Sequence, residues 1–151
     1  MDEHEARVLG LQLMEESDMV YLTTIDPDGY PFTRALWNLR NRDMFGRLYP
    51  FFREHKEDYM VLLSTNTSSN KVTHINSNPK VSAYYCQPLK YRGLTLTGEA
   101  EIVEDIGVKE ALWDTDWVFY YPKGITDPDF TVIRLLPVKS SMVISPVIIN
   151  N

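Results

Sequence analysis

Two β-rich runs joined by a four-residue turn constrain this chain more than any other feature. Residues 19–25, Met19-Val20-Tyr21-Leu22-Thr23-Thr24-Ile25, are dominated by β-branched, aromatic and aliphatic side chains. Asp26-Pro27-Asp28-Gly29 follows, with Pro preset for the second turn position and Gly free to take a positive φ. A second β-run spans about residues 30–39, so an antiparallel hairpin is predicted. Residues 59–63 read as a buried strand, and residues 80–87 as another, ended by Pro88. Residues 93–103 alternate apolar and polar side chains, with Gly98 marking a bulge or bend. A last strand covers about residues 131–144, interrupted near Pro137. Six strands without regular βαβ alternation predict a mainly β fold, an antiparallel barrel with helices at its edges.

Three segments depart from the strand pattern. Residues 3–17 carry Ala6, Leu9 and Leu13 at helical spacing, with Val8, Leu11 and Met14 widening the face. Residues 105–121 are predicted helical, with Val108, Leu112 and Trp113 on one side and Pro122-Lys123-Gly124 as the stop. Between residues 40 and 58, Arg40, Arg42, Arg47, Arg53 and Lys56 mix with Phe45, Leu48, Phe51 and Phe52 around Pro50. A loop with one short amphipathic helix is expected there. Acidic Asp43, Glu54, Glu57 and Asp58 argue for a solvated face rather than a nucleic-acid patch.

The 151 residues, 44% hydrophobic, suffice for one domain with its own core. A net charge of -6 argues against binding nucleic acid by counterion release. No apolar run is long enough to span a membrane, and the acidic start at Met1-Asp2-Glu3 is unlike a signal peptide. The single cysteine, Cys86, excludes an internal disulfide and fits a reducing cytoplasm. His4, His55 and His74 show no metal-ligand spacing, and His74 reads as a surface or helix-packing residue. Asn66-Thr67-Ser68 matches a glycosylation acceptor by chance alone.

The most informative run for function is Ser64-Thr65-Asn66-Thr67-Ser68-Ser69-Asn70-Lys71. It links the strand at residues 59–63 to a short helix at residues 72–75, which Asn76-Ser77-Asn78-Pro79 stops. A strand that opens through hydroxyl residues into a helix start presents free N–H groups and a partial positive charge. With a lysine at its end, this arrangement suits a phosphate. Ser and Asn are also ordinary N-cap residues, so the run alone fits either an anion cradle or a plain capped helix.

The order of landmarks resembles the flavin-binding split-barrel family related to pyridoxamine 5′-phosphate oxidase, especially its short bacterial and archaeal members resembling general stress proteins. The likeness runs from about residue 19 to 137. It is carried by the turn at residues 23–31 and by Thr33-Arg34-Ala35-Leu36-Trp37. The hydroxyl loop, Asn78-Pro79-Lys80-Val81 and Gly98-Glu99-Ala100-Glu101 follow. Tyr120-Tyr121-Pro122-Lys123-Gly124 and Asp127-Pro128-Asp129 complete the series. The resemblance implies a six-stranded antiparallel split β-barrel, paired as a homodimer with FMN at the subunit interface. It implies that Arg34 and Lys71 meet the phosphate and that Ser64, Thr65 and Ser69 hydrogen-bond it. Residues Ala35, Leu36, Trp37 and Asn38 would run under the isoalloxazine ring, and Trp117 or Tyr120 would cover it in the partner subunit. Otherwise Arg34 reads as a surface arginine paired with a glutamate, and Trp37, Trp113 and Trp117 as core or interface anchors.

Departures from the family pattern bear on chemistry. Asn70 stands where the family usually has an arginine, which removes one charge from the phosphate site. Such a loss costs roughly 1.5–3 kcal/mol if nothing replaces it. Gly93 stands near the place of a ring-contacting glutamine. Residues 145–151 hold no counterpart of the oxidase's substrate-binding arginine and histidine. The expectation is an FMN-dependent oxidoreductase other than a pyridoxamine phosphate oxidase. A non-catalytic flavin-sequestering stress protein, and a barrel carrying deazaflavin or haem, remain the alternatives.

Overall fold

The computed structural model describes residues 1–56 and 58–144. Helix α1 (Glu3–Glu16) begins with a capping box in which the Asp2 and Glu5 carboxylates each accept the other's N–H. Strands β1 (Met19–Ile25) and β2 (Pro31–Trp37) pair antiparallel, from Met19 opposite Trp37 to Ile25 opposite Pro31. The turn closes as its sequence requires, with Gly29 at φ +86° and Asp26 accepting from the Asp28 and Tyr30 N–H groups. Strand β2 stops at Trp37, short of Leu39, because buried Asn38 turns away to hold α1. Its amide donates to the carbonyls of Met14 and Ser17 at 2.6 and 2.7 Å.

The single helix expected between residues 40 and 58 is instead a chain of short turns. Gly46–Leu48, α2 (Tyr49–Phe52) and Arg53–His55 follow one another. Buried Arg40 pins this excursion to the next strand by donating to the carbonyls of Met60 and His55. Strand β3 (Val61–Asn66) therefore extends through Ser64 and Thr65, which the sequence placed in a loop. Helix α3 (Asn70–Ser77) starts two residues earlier than expected. Strands β4 (Lys80–Gln87) and β5 (Arg92–Val103) match their predicted spans closely.

The helix expected at residues 105–121 is divided. Helix α4 (Ile106–Leu112) ends where Trp113 turns extended, and Asp114 then caps a separate turn, Thr115–Phe119. The interrupted last strand is two strands, β6 (Phe130–Leu135) and β7 (Lys139–Ile144). Pro137, lacking an N–H, lies between them.

Strand order is β2-β1-β4-β5-β6-β3, all antiparallel, with β7 paired to the first half of β5. Along β5, residues Arg92 to Thr97 pair with β7 and Ala100 to Val103 pair with β6. Gly98 sits at this handover, inside a strand that runs unbroken from Arg92 to Val103. A Cβ there would meet Leu135 Cδ1 at 3.0 Å and the Leu136 carbonyl at 3.1 Å. The sheet curls around a core that includes Leu13, Leu22, Leu63, Tyr85 and Leu96. A second core, with Leu62, Leu112, Phe130 and Val132, fills the outer side of β3 and β6. Strands β2 and β3 are the two ends of the path, so the barrel is split between them. No helix among the described residues is long and apolar enough to cross a membrane.

Gly98→Val should destabilise the fold by about 1–3 kcal/mol, because the backbone carbonyl of Leu136 cannot rotate out of the way. Urea unfolding checks this, with a lower midpoint and an unchanged slope expected.

Candidate functional site

The split brings residues from both sheet ends together. Opposite residues of an antiparallel pair share a face. Arg34, opposite Leu22, thus lies on the same face as Thr24. Its Nη1 donates to Thr24 Oγ1 at 2.8 Å and to the carbonyls of Phe32 and Leu22 at 3.1 and 3.3 Å. The guanidinium stacks over the Phe32 ring at 4.5 Å. Its Nη2 is buried without a hydrogen-bond partner among the described residues. No glutamate pairs with it there, so the ordinary surface-arginine reading does not describe this residue.

Across the split, Thr65 Oγ1 accepts from Lys71 Nζ at 2.9 Å. Ser69 occupies the N-cap position of α3, yet its hydroxyl makes no capping bond and is buried without a partner among the described residues. The capped-helix reading of this run therefore fails at its own cap residue. The turn before it is braced from outside by Asp129, whose carboxylate accepts from Asn66 Nδ2 and the Ser68 N–H. The Asp129 carbonyl also accepts from the Thr67 N–H at 2.8 Å. A loop held this way loses little further entropy on binding.

Charge is the decisive property. Burial pushes the Lys71 ammonium below its ordinary range, and the nearby Arg34 charge lowers it further. Burial also lowers Arg34. Neither forms an ion pair among the described residues. Two partly buried cations near each other are unfavourable on both counts. Unfilled donors remain on Arg34, Lys71 and Ser69. A multiply charged oxyanion satisfies the donors and the charge at once.

A cavity of about 370 Å³ adjoins this cluster. Trp37, Phe45, Trp117 and Tyr120 give it an aromatic wall, and Ser64, Thr65 and Asn66 also line it. Tyr121 donates to Asn66 Oδ1 at 3.0 Å; burial and the Asp129 and Asp127 charges push its phenol upward. Trp117 packs against Trp113 and Phe130 of its own chain.

Of the residues expected at the site, Arg34, Thr65, Ser69 and Lys71 converge. Ser64 lines the adjoining cavity, and Asn70 is exposed at the first position of α3. Leu36 packs inward against the barrel core, whereas Ala35 and 59%-exposed Trp37 face outward. The Asn38 side chain belongs to the α1 anchor described above. Sequence reasoning did not place Thr24 or Phe32 at the site, and it read His74 as a surface or helix-packing residue. His74 is a packed helix residue rather than a surface one, 6% exposed, with Nδ1 at 2.8 Å from Thr24 Oγ1. The readable signal was Thr24 itself, a hydroxyl on the same strand face as Val20 and Leu22. The expectation about residues 145–151 lies outside the described residues. Among the described residues no group of His, Cys, Asp and Glu side chains is placed to hold a metal.

The family model described as pyridoxamine 5′-phosphate oxidase matches residues 11–143. The chain belongs to this family. A solved structure from Clostridium acetobutylicum, described as related to general stress protein 26 of Bacillus subtilis and of the pyridoxinephosphate oxidase family, is 30% identical. That match covers 98% of this chain and 99% of the other, with a TM-score of 0.69. General stress protein 26 from Bacillus anthracis shares the fold at 18% identity and TM-score 0.70, covering 92% of this chain and 94% of its own. An F420 reductase shares it at 24% identity and TM-score 0.56, with 86% and 94% covered. No curated protein sequence matches. Within this family fold, the cation cluster occupies the open seam between the sheet ends.

The cluster has a stability signature. Folded Lys71 binds its proton less tightly than the unfolded side chain, whose ordinary value is 10.5. Between the two values the unfolded state holds more protons, so stability rises with pH; below both, the full penalty persists. Lys71→Met should therefore be as stable as the parent at neutral pH, or more stable by up to about 1 kcal/mol. Urea unfolding of both proteins across the alkaline range should show that difference shrinking toward high pH.

Proposed function

We propose that this protein is an FMN-binding oxidoreductase whose seam cluster holds the cofactor's phosphate. One observation carries the reading: the Arg34 and Lys71 charges lie close enough to repel, neither has a carboxylate partner among the described residues, and Arg34 Nη2 and the Ser69 hydroxyl are buried without partners there. When bound, the flavin supplies hydride or single-electron chemistry. The chain's own part is binding and orientation. Arg34 and Lys71 neutralise the phosphate, while Thr65 and Ser69 hydrogen-bond it. The free edge of β2 at Ala35, Leu36 and Trp37 offers backbone donors and acceptors to the ring edge. The aromatic wall beside the seam excludes water from the ring and leaves room for a small substrate. Asn70 adds no third charge, which lowers affinity for the phosphate.

The reading includes a homodimer. On the outer face of the sheet, Tyr21 and Tyr84 are exposed beside Thr23, Thr33, Ser82 and Cys86. An aromatic patch of this kind on a folded sheet favours pairing with a second copy. Flavin sequestration without turnover is the second reading, favoured by the 30%-identical relative described as related to a general stress protein. Haem has little support, since His74, the histidine next to the loop, is packed into the protein and only 6% exposed.

Titration of the protein with FMN, followed by absorption and calorimetry, tests the assignment; absence of any complex would overturn it. Lys71→Ala should weaken FMN about tenfold or more, the loss of one charge-assisted bond, while riboflavin is held as before. Unchanged FMN affinity would remove Lys71 from the phosphate site. Turnover of NADH or NADPH by the loaded protein separates the enzyme from the sequestering protein, and competition with F420 separates FMN from a deazaflavin. Sedimentation should show a dimer with or without cofactor, and Tyr84→Asp should shift it toward monomer.

A further inference from the structure

We infer that Thr24 and His74 form a directional relay that positions Arg34, so that one helix sets the placement of both cations. The inference rests on the anion-site reading above and deepens it. Arg34 Nη1 can only donate, and it donates to Thr24 Oγ1 at 2.8 Å. Thr24 is 0% exposed, so bulk water does not reach its hydroxyl. The hydroxyl's other partner is His74 Nδ1, also at 2.8 Å. A hydroxyl has a single proton, and Arg34 leaves it only one acceptor to meet. The Thr24 proton therefore points at Nδ1, and His74 carries its own proton on Nε2. An imidazolium would leave the Thr24 proton without an acceptor. It would also add a third cation one helical turn from Lys71.

A second contact reinforces the first. The Phe32 ring lies under the Arg34 guanidinium at 4.5 Å and meets the His74 ring edge-on at 5.7 Å. His74 and Lys71 are three residues apart on α3, which is continuous from Asn70 to Ser77. The helix thus holds Lys71 directly and Arg34 through Thr24 and Phe32. With Nη1 occupied by Thr24 and two carbonyls, the orphaned Nη2 is the arm left for the ligand. Thr24 and His74 act through Arg34 and are positioning residues.

Two measurements test the relay. In the protein without added ligand, ¹⁵N spectra of the histidine rings at neutral pH should show His74 with bare Nδ1 and protonated Nε2. The opposite tautomer, or an imidazolium, would overturn the relay. Thr24→Val keeps the shape but removes the hydroxyl. It should weaken FMN about tenfold and leave riboflavin within about twofold, with Thr24→Ser restoring FMN binding. Equal losses for both ligands, or no loss, would also overturn it. If Thr24→Val fails to fold, the wild-type spectrum decides. If wild-type protein ignores FMN, the cofactor reading falls, and the same spectrum still judges the relay.

Discussion

The structure depends on a sheet that curls but does not close. Strands β2 and β3 lie at opposite ends of one antiparallel path, and no ladder joins them. A closed barrel would satisfy both edges with backbone hydrogen bonds and leave nothing for a ligand. Here the sheet curls so that both ends border one cavity, lined by Trp37 of β2 and by Ser64, Thr65 and Asn66 of β3. At this seam Arg34 Nη2 and the Ser69 hydroxyl are buried without partners among the described residues.

Energetically, the two halves of the molecule behave differently. The core inside the curl and the one outside β3 and β6 are apolar and continuous, and they stabilise the fold by ordinary burial. The seam works against stability. Arg34 and Lys71 are half-buried like charges, and the Ser69 hydroxyl and Arg34 Nη2 lack partners. Such features recur at functional sites, where the ligand supplies what the chain omits. Bracing of the loop by Asp129, and of Arg34 by Thr24, keeps this unfavourable arrangement from relaxing away.

Local pattern made several elements legible. The Asp26-Pro27-Asp28-Gly29 turn gave the hairpin because its dihedral demands are met within four residues. Alternation gave β5. Errors came where long-range contacts override local preference. Asn38 ends β2 early by capping α1, a partner 21 to 24 residues away. Pairing with β6 extends β3 through hydroxyl residues that locally read as loop. Asp114 divides a helix that amphipathic spacing alone runs together.

The same division holds for the site. From the chain's residues alone came the family's landmarks, the hydroxyl-rich run ending in Lys71, and Arg34 as its companion cation, because each is a local motif of residue types in order. Only the tertiary structure decided that the Arg34 and Lys71 charges come close enough to repel, that the Ser69 side chain does not cap its helix, and that His74 is buried against Thr24. Those facts depend on strand order and on the curl of the sheet, which join residues dozens of positions apart. No window along the chain contains them.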